Sequence, residues 1–136
     1  MFYATSVFEH LKSIGVIALI QDQVENAKTK PGSGFRAVGY DLLTFQGQRA
    51  SIALSSYWKH ESGDMMADPD IQITVDLKTE KAVATAFQQD GVPGIGTIYI
   101  DIYPTDEPKN AKAEIQVNHF LCDWLQRMVD TKQLFV

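Results

Sequence analysis

The period of the hydrophobic residues changes twice along this chain, and that change constrains the fold more than any other feature. Ala4, Phe8, Leu11 and Ile14 recur at helical spacing. Ser6 with Glu9 three residues on makes a capping-box pattern that predicts the helix start, and Gly15 predicts its stop. From Val16 to Lys28, Ile17, Ile20, Val24 and Ala27 keep a helical step, so a second helix is expected, with a buried strand over 16–20 as the alternative. Lys30-Pro31-Gly32-Ser33-Gly34 is a loop by composition and the segment expected to be most flexible.

Beyond that loop the period becomes two. Tyr40–Phe45 and Ala50–Trp58 predict a hairpin joined at Gln46-Gly47-Gln48. A loop is expected over 60–69. Ile71, Ile73 and Val75 then alternate with polar residues, Leu77–Glu80 turns the chain, and Ala82–Gln88 returns it. On that return strand Val83, Thr85 and Phe87 are the expected inward set, with the three alanines as the alternative. After a glycine-rich loop from Asp90 to Gly96, Ile98, Ile100 and Ile102 alternate with Tyr99, Asp101 and Tyr103. Helical spacing resumes at about Ala111 and runs to Lys132, with Val117, Phe120, Leu121, Trp124, Leu125 and Met128 on one stripe. Helices gathered at the ends of an antiparallel run define an α+β fold. We expect a five-stranded meander with one or two N-terminal helices and a long C-terminal helix packed on one face.

Composition bounds the function. At 136 residues the chain is one domain, 1–136, large enough to need no covalent staple. One cysteine allows no internal disulfide and no Cys/His zinc spacing occurs. No apolar run approaches the ~18 residues of a membrane span, and no basic, then apolar leader opens the chain, so a cytoplasmic setting is expected. The net charge is −5, but residues 1–60 carry six Lys/Arg against four Asp/Glu and residues 61–136 carry six against thirteen. That acidity argues against direct nucleic-acid binding, which needs clustered cations, and suits a partner with a basic surface.

The densest chemistry lies between His60 and Asp70. His60, Asp64, Asp68 and Asp70 could ligate a divalent cation, build turns through their side chains, or meet a partner; the pattern does not match a calcium-binding EF-hand loop. Met65 and Met66 are expected to plug an irregular edge of the core. Cys122 and His119 share a helix without a catalytic motif, and Ser55 and Ser56 lack elbow glycines. Gly91-x-x-Gly94-x-Gly96 precedes a strand, whereas a phosphate loop follows one and opens a helix. Tyr57, Trp58, Tyr99 and Tyr103 could stack nucleic-acid bases but have no accompanying basic stripe. On an exposed face they suit a protein interface.

Gly63-Asp64-Met65-Met66-Ala67-Asp68-Pro69-Asp70-Ile71 resembles a block of an uncharacterised bacterial domain family found in phages, plasmids and integrative elements, and Phe120-Leu121-x-x-Trp124-Leu125 is similar to that family's closing helix. The resemblance spans roughly residues 50–77 and 115–134, with Tyr57 where the family pattern carries a histidine. It implies a mobile-element setting rather than a reaction. The expectation is therefore a non-enzymatic, cofactor-free binding protein that occludes a host defence complex of the CRISPR or restriction type. Asp64, Asp68, Asp70, Asp101, Asp106 and Glu107 would mimic phosphate, with Tyr57 and Trp58 beside them. The alternatives are a metal-dependent hydrolase built on His60, Asp64, Asp68 and Asp70, and a homodimeric structural module.

Overall fold

The computed structural model describes residues 2–32 and 35–135; Ser33 and Gly34 of the glycine-rich loop lie outside the described residues. The described residues form α1 (Phe2–Ser13), α2 (Val16–Gln21), β1 (Asn26–Lys28), β2 (Gly39–Gln46), β3 (Arg49–Lys59), β4 (Met65–Asp76), β5 (Lys81–Val92), β6 (Gly96–Asp101) and α3 (Ala111–Asp130). All strands join one antiparallel sheet in sequence order.

The sheet therefore has six strands rather than the expected five, because the segment assigned to a second helix divides. Val16–Gln21 is helical, but Asn26–Lys28 pairs with Gly39–Asp41 as an edge strand. Helical spacing over 16–28 does not reveal this, since three residues are too few to show a period of two. The first helix starts at Phe2, ahead of the expected cap at Ser6. Gly15 is a true break: its φ is +95°, and a side chain there would meet the Phe135 carbonyl oxygen at 2.5 Å. Asn110 caps α3, its side chain accepting a hydrogen bond from the Ala113 amide.

The helices cover one face. Val7, Phe8 and Leu11 of α1, Ile17 and Ile20 of α2, and Val117, Leu121 and Leu125 of α3 bury against Ile52, Leu54, Ile71, Ile73 and Val75. On β5 the inward residues are Ala82 and Ala84, contrary to the choice of Val83 and Thr85. A register shift at Thr85 then turns Phe87 inward as well, where its ring meets Phe120 edge-on at 5.6 Å. Simple alternation could not give both results. Asn118, fully buried on α3, accepts from the Ala84 amide at 2.8 Å and donates to the Glu114 carbonyl at 2.7 Å. It thus pins the helix to the irregular point of β5.

Strands β3 to β5 run longer than the sequence suggests. Residues 65–69, expected in a loop, belong to β4, and β5 continues to Val92. The real turn is His60–Asp64, closed by the His60 amide donating to the Asp64 carbonyl and the Gly63 amide to the His60 carbonyl.

Candidate functional site

The face of the sheet turned away from the helices is built from small and polar residues. Gly39, Ser55, Asp70, Gln88 and Tyr99 are successive cross-strand partners from β2 to β6. Asp41, Ala53, Gln72, Ala86 and Asp101 form the row beside them. Strands lie about 4.8 Å apart, so Asp41 and Asp101 bracket roughly 19 Å of this face, with Asp70 between them. Tyr57 and Tyr99 are exposed there at 39% and 61%. The Tyr57 hydroxyl donates to Asp70 Oδ2 at 2.6 Å. Burial, then the Asp70 bond, pushes the Tyr57 phenol well above its ordinary pKa, which keeps it a donor at any physiological pH. A shallow groove bordered by Lys28, Gly39 and Ser55 runs up to the Tyr57 ring.

The acidic block beside this face is divided by the fold. β3 and β4 lose register between Ser55 and Tyr57, where Ser55 pairs with Asp70 but Tyr57 pairs with Ala67. That extra residue sends Asp68 to the helix side, where it lines a cavity together with residues of α3, while Asp70 stays on the open face. Asp68 forms an ion pair with Arg36 and accepts from Gln89 Nε2 at 2.7 Å. Asp64 is exposed in the β3–β4 turn, where its amide reaches Ser62 Oγ at 3.4 Å. His60 closes that same turn, its Nδ1 accepting from the Ser62 amide at 3.1 Å. Among the described residues no group of three His, Cys, Asp or Glu side chains is close enough to hold a metal ion. The four residues of the hydrolase alternative thus lie in three different surroundings.

Of the other expected contact residues, Asp101 lies on the open face and Asp106 and Glu107 are exposed in the segment between β6 and α3. Trp58 alternates away from Tyr57, pairs with Met66 and packs against the His60 ring at 5.7 Å. Met66 is half-buried, whereas Met65 stays 59% exposed rather than filling the core. Cys122 is half-buried, and that burial raises its thiol pKa, so it is a poor nucleophile.

Two residues that organise this region did not stand out in the sequence. Asp41 looks like one polar residue of an ordinary strand until the register is known. Asp90 accepts from the Ala67 amide at 2.8 Å, Thr97 Oγ1 at 2.9 Å and Gln88 Nε2 at 3.2 Å. Those bonds, the Ala67 amide first, hold its carboxyl below the usual range. They tie β4, β5 and β6 together. An Asp-Gly pair at a strand end was the available signal.

The fold and this face define an α+β protein with an open, acidic antiparallel sheet, and among the described residues no helix is long and apolar enough to cross a membrane. Residues 33–136 match the model of a domain of unknown function, DUF6908, and the chain belongs to that family. It is an uncharacterised domain family, in keeping with the resemblance, and the match takes in the acidic block, the open face and α3. No curated protein and no solved structure matches the chain.

Proposed function

We propose that this chain is a non-enzymatic binding protein that docks on a basic surface of another protein through its open sheet face. One observation carries this reading: Asp41, Asp70 and Asp101 with Tyr57 and Tyr99 share a single face, opposite the one that the described helices cover. A rigid sheet presents such groups with little ordering cost, aromatic residues supply contact area, and the carboxylates steer and orient a cationic partner. The acidic surface is narrower than the full set of six acids, because Asp68 is committed to Arg36. The resemblance to domains of phages and mobile elements adds a setting, in which a small acidic protein occludes a host defence nuclease complex from its nucleic acid.

The test is capture from a bacterial lysate with the native chain, a triple variant D41N/D70N/D101N on the open face, and D64N in the turn. A stoichiometric partner held by the native chain and by D64N, lost in the triple variant and released by salt, is the expected result. A partner retained by the triple variant, or no partner together with a concentration-dependent dimer, would overturn it.

A further inference from the structure

On the opposite face, beneath the last turns of α3, lies a cavity of about 450 Å³, within the size range of small-molecule sites. Phe35, Val38, Trp124 and Met128 supply its apolar wall. Ser56 adds a hydroxyl where strand alternation continues the inward series of Ile52 and Leu54, and it is only 7% exposed. A polar side chain in that series weakens the core unless it has something polar to meet.

Two arginines, Arg36 and Arg127, line the same space. Arg36 is neutralised by Asp68, whereas Arg127 makes no ion pair among the described residues. The cavity is thus lined by an arginine that is not committed to an ion pair, together with Trp124. Its frame is fixed from behind: buried Gln133 donates to the Arg36 carbonyl at 2.6 Å and to Thr29 Oγ1 at 3.1 Å. The backbone bearing Arg36 is therefore held in place without any ligand, the preorganisation that a binding site requires.

We infer that this cavity binds a small organic anion, a flat apolar body bearing one carboxylate or phosphate. The anionic group meets Arg127, and the flat body lies against Trp124. Guanidinium groups match both anions in geometry, and an indole face gives a planar molecule its best contact area. This inference does not rest on the open face: Arg36 also borders the groove beside Tyr57, but Ser56, Trp124, Arg127 and Met128 line this cavity alone.

The experiment follows the indole N–H resonances of the two tryptophans by NMR, assigned with Trp124→Phe, during titration with adenosine monophosphate, benzoate or inorganic phosphate. The expected result is a saturable shift of Trp124, with Trp58 unmoved, for at least one of the two organic anions. Adenosine monophosphate alone would define the phosphate class and benzoate alone the carboxylate class. Arg127→Gln, at an exposed position, should weaken binding about tenfold, the loss of one charge-assisted hydrogen bond. Lys112→Gln, the same charge change elsewhere on α3, should not. No saturable shift with either organic anion would overturn the inference. So would equal affinity for inorganic phosphate alone, unchanged affinity in Arg127→Gln, or an equal loss in Lys112→Gln.

Discussion

The two faces of this one sheet are made by the same strands and answer to different demands. On the covered face, Ile52, Ile73 and Ala84 are cross-strand partners, all essentially inaccessible to solvent. On the open face, Ala53 and Gln72, one residue away, and Ala86, two residues away across the shift at Thr85, are partners flanked by Asp41 and Asp101. Burial against three helices dictates the first set, since each aliphatic side chain removed from water contributes roughly 1.5–3 kcal/mol. Nothing in the core dictates the second. Carboxylates and tyrosines on the face opposite the helices are therefore the better guide to function. Asp68 and Asp90, taken up by an ion pair and by three bonds between strands, are the weaker one, whereas Asp70 and Asp101 each accept a single bond among the described residues.

The contrast is broken most directly by neighbouring substitutions on β4. Ile73→Ala should destabilise the fold by about 2–5 kcal/mol, through lost burial and the cavity left against the helices. Gln72→Ala, one residue along on the exposed side, should stay within about 0.5 kcal/mol. Urea unfolding of both variants measures the difference, and comparable losses would mean that the two faces are not energetically distinct.

A smaller effect sharpens the contrast at the irregular part of the covered face. The shift at Thr85 lets Ala84 and Phe87 both point inward, and Asn118 takes the Ala84 amide. Asn118→Leu fills similar space but leaves that buried amide without an acceptor, for an expected cost of about 1–3 kcal/mol. Hydrogen exchange at Ala84 should quicken more than exchange at Ile52. If both amides keep native protection, the Asn118 bond contributes nothing to the covered face.

These irregular positions also mark where the sequence stopped being informative. Period alone gave the helical ends, the meander, the Leu77–Glu80 turn and the Ile98–Ile102 alternation, because burial on one face imposes a repeat. It missed β1, which is too short to repeat. It also missed the bulges after Ser55 and at Thr85, since an inserted residue changes facing without changing composition. The candidate site suffered from the same cause. The acidic block reads as one cluster along the chain, yet a single register shift sends Asp68 to the helices and leaves Asp70 beside Tyr57. Asp41, far from that block in sequence, joins Asp70 and Asp101 only through strand pairing.

The smallest expected effect concerns the tyrosines. Tyr40 is fully buried on the covered side, donates to the Val24 carbonyl at 3.0 Å, and burial pushes its phenol up to about 12 from 10.0. The folded state thus holds this proton more tightly than the unfolded state does. The resulting stabilisation is complete below pH 10 and is lost progressively as pH rises from about 10 to about 12. Tyr103, bonded to Glu114 and likewise pushed up to about 12 by burial first, acts in the same direction. Tyr40→Phe should cost about 1 kcal/mol at neutral pH through the lost hydrogen bond. It should also lose less of its remaining stability than the native chain between about pH 8 and about pH 11. Urea midpoints at those two pH values check both parts. Parallel declines would mean that Tyr40 titrates equally in the folded and unfolded chains, and that its burial on the covered face does not govern its proton.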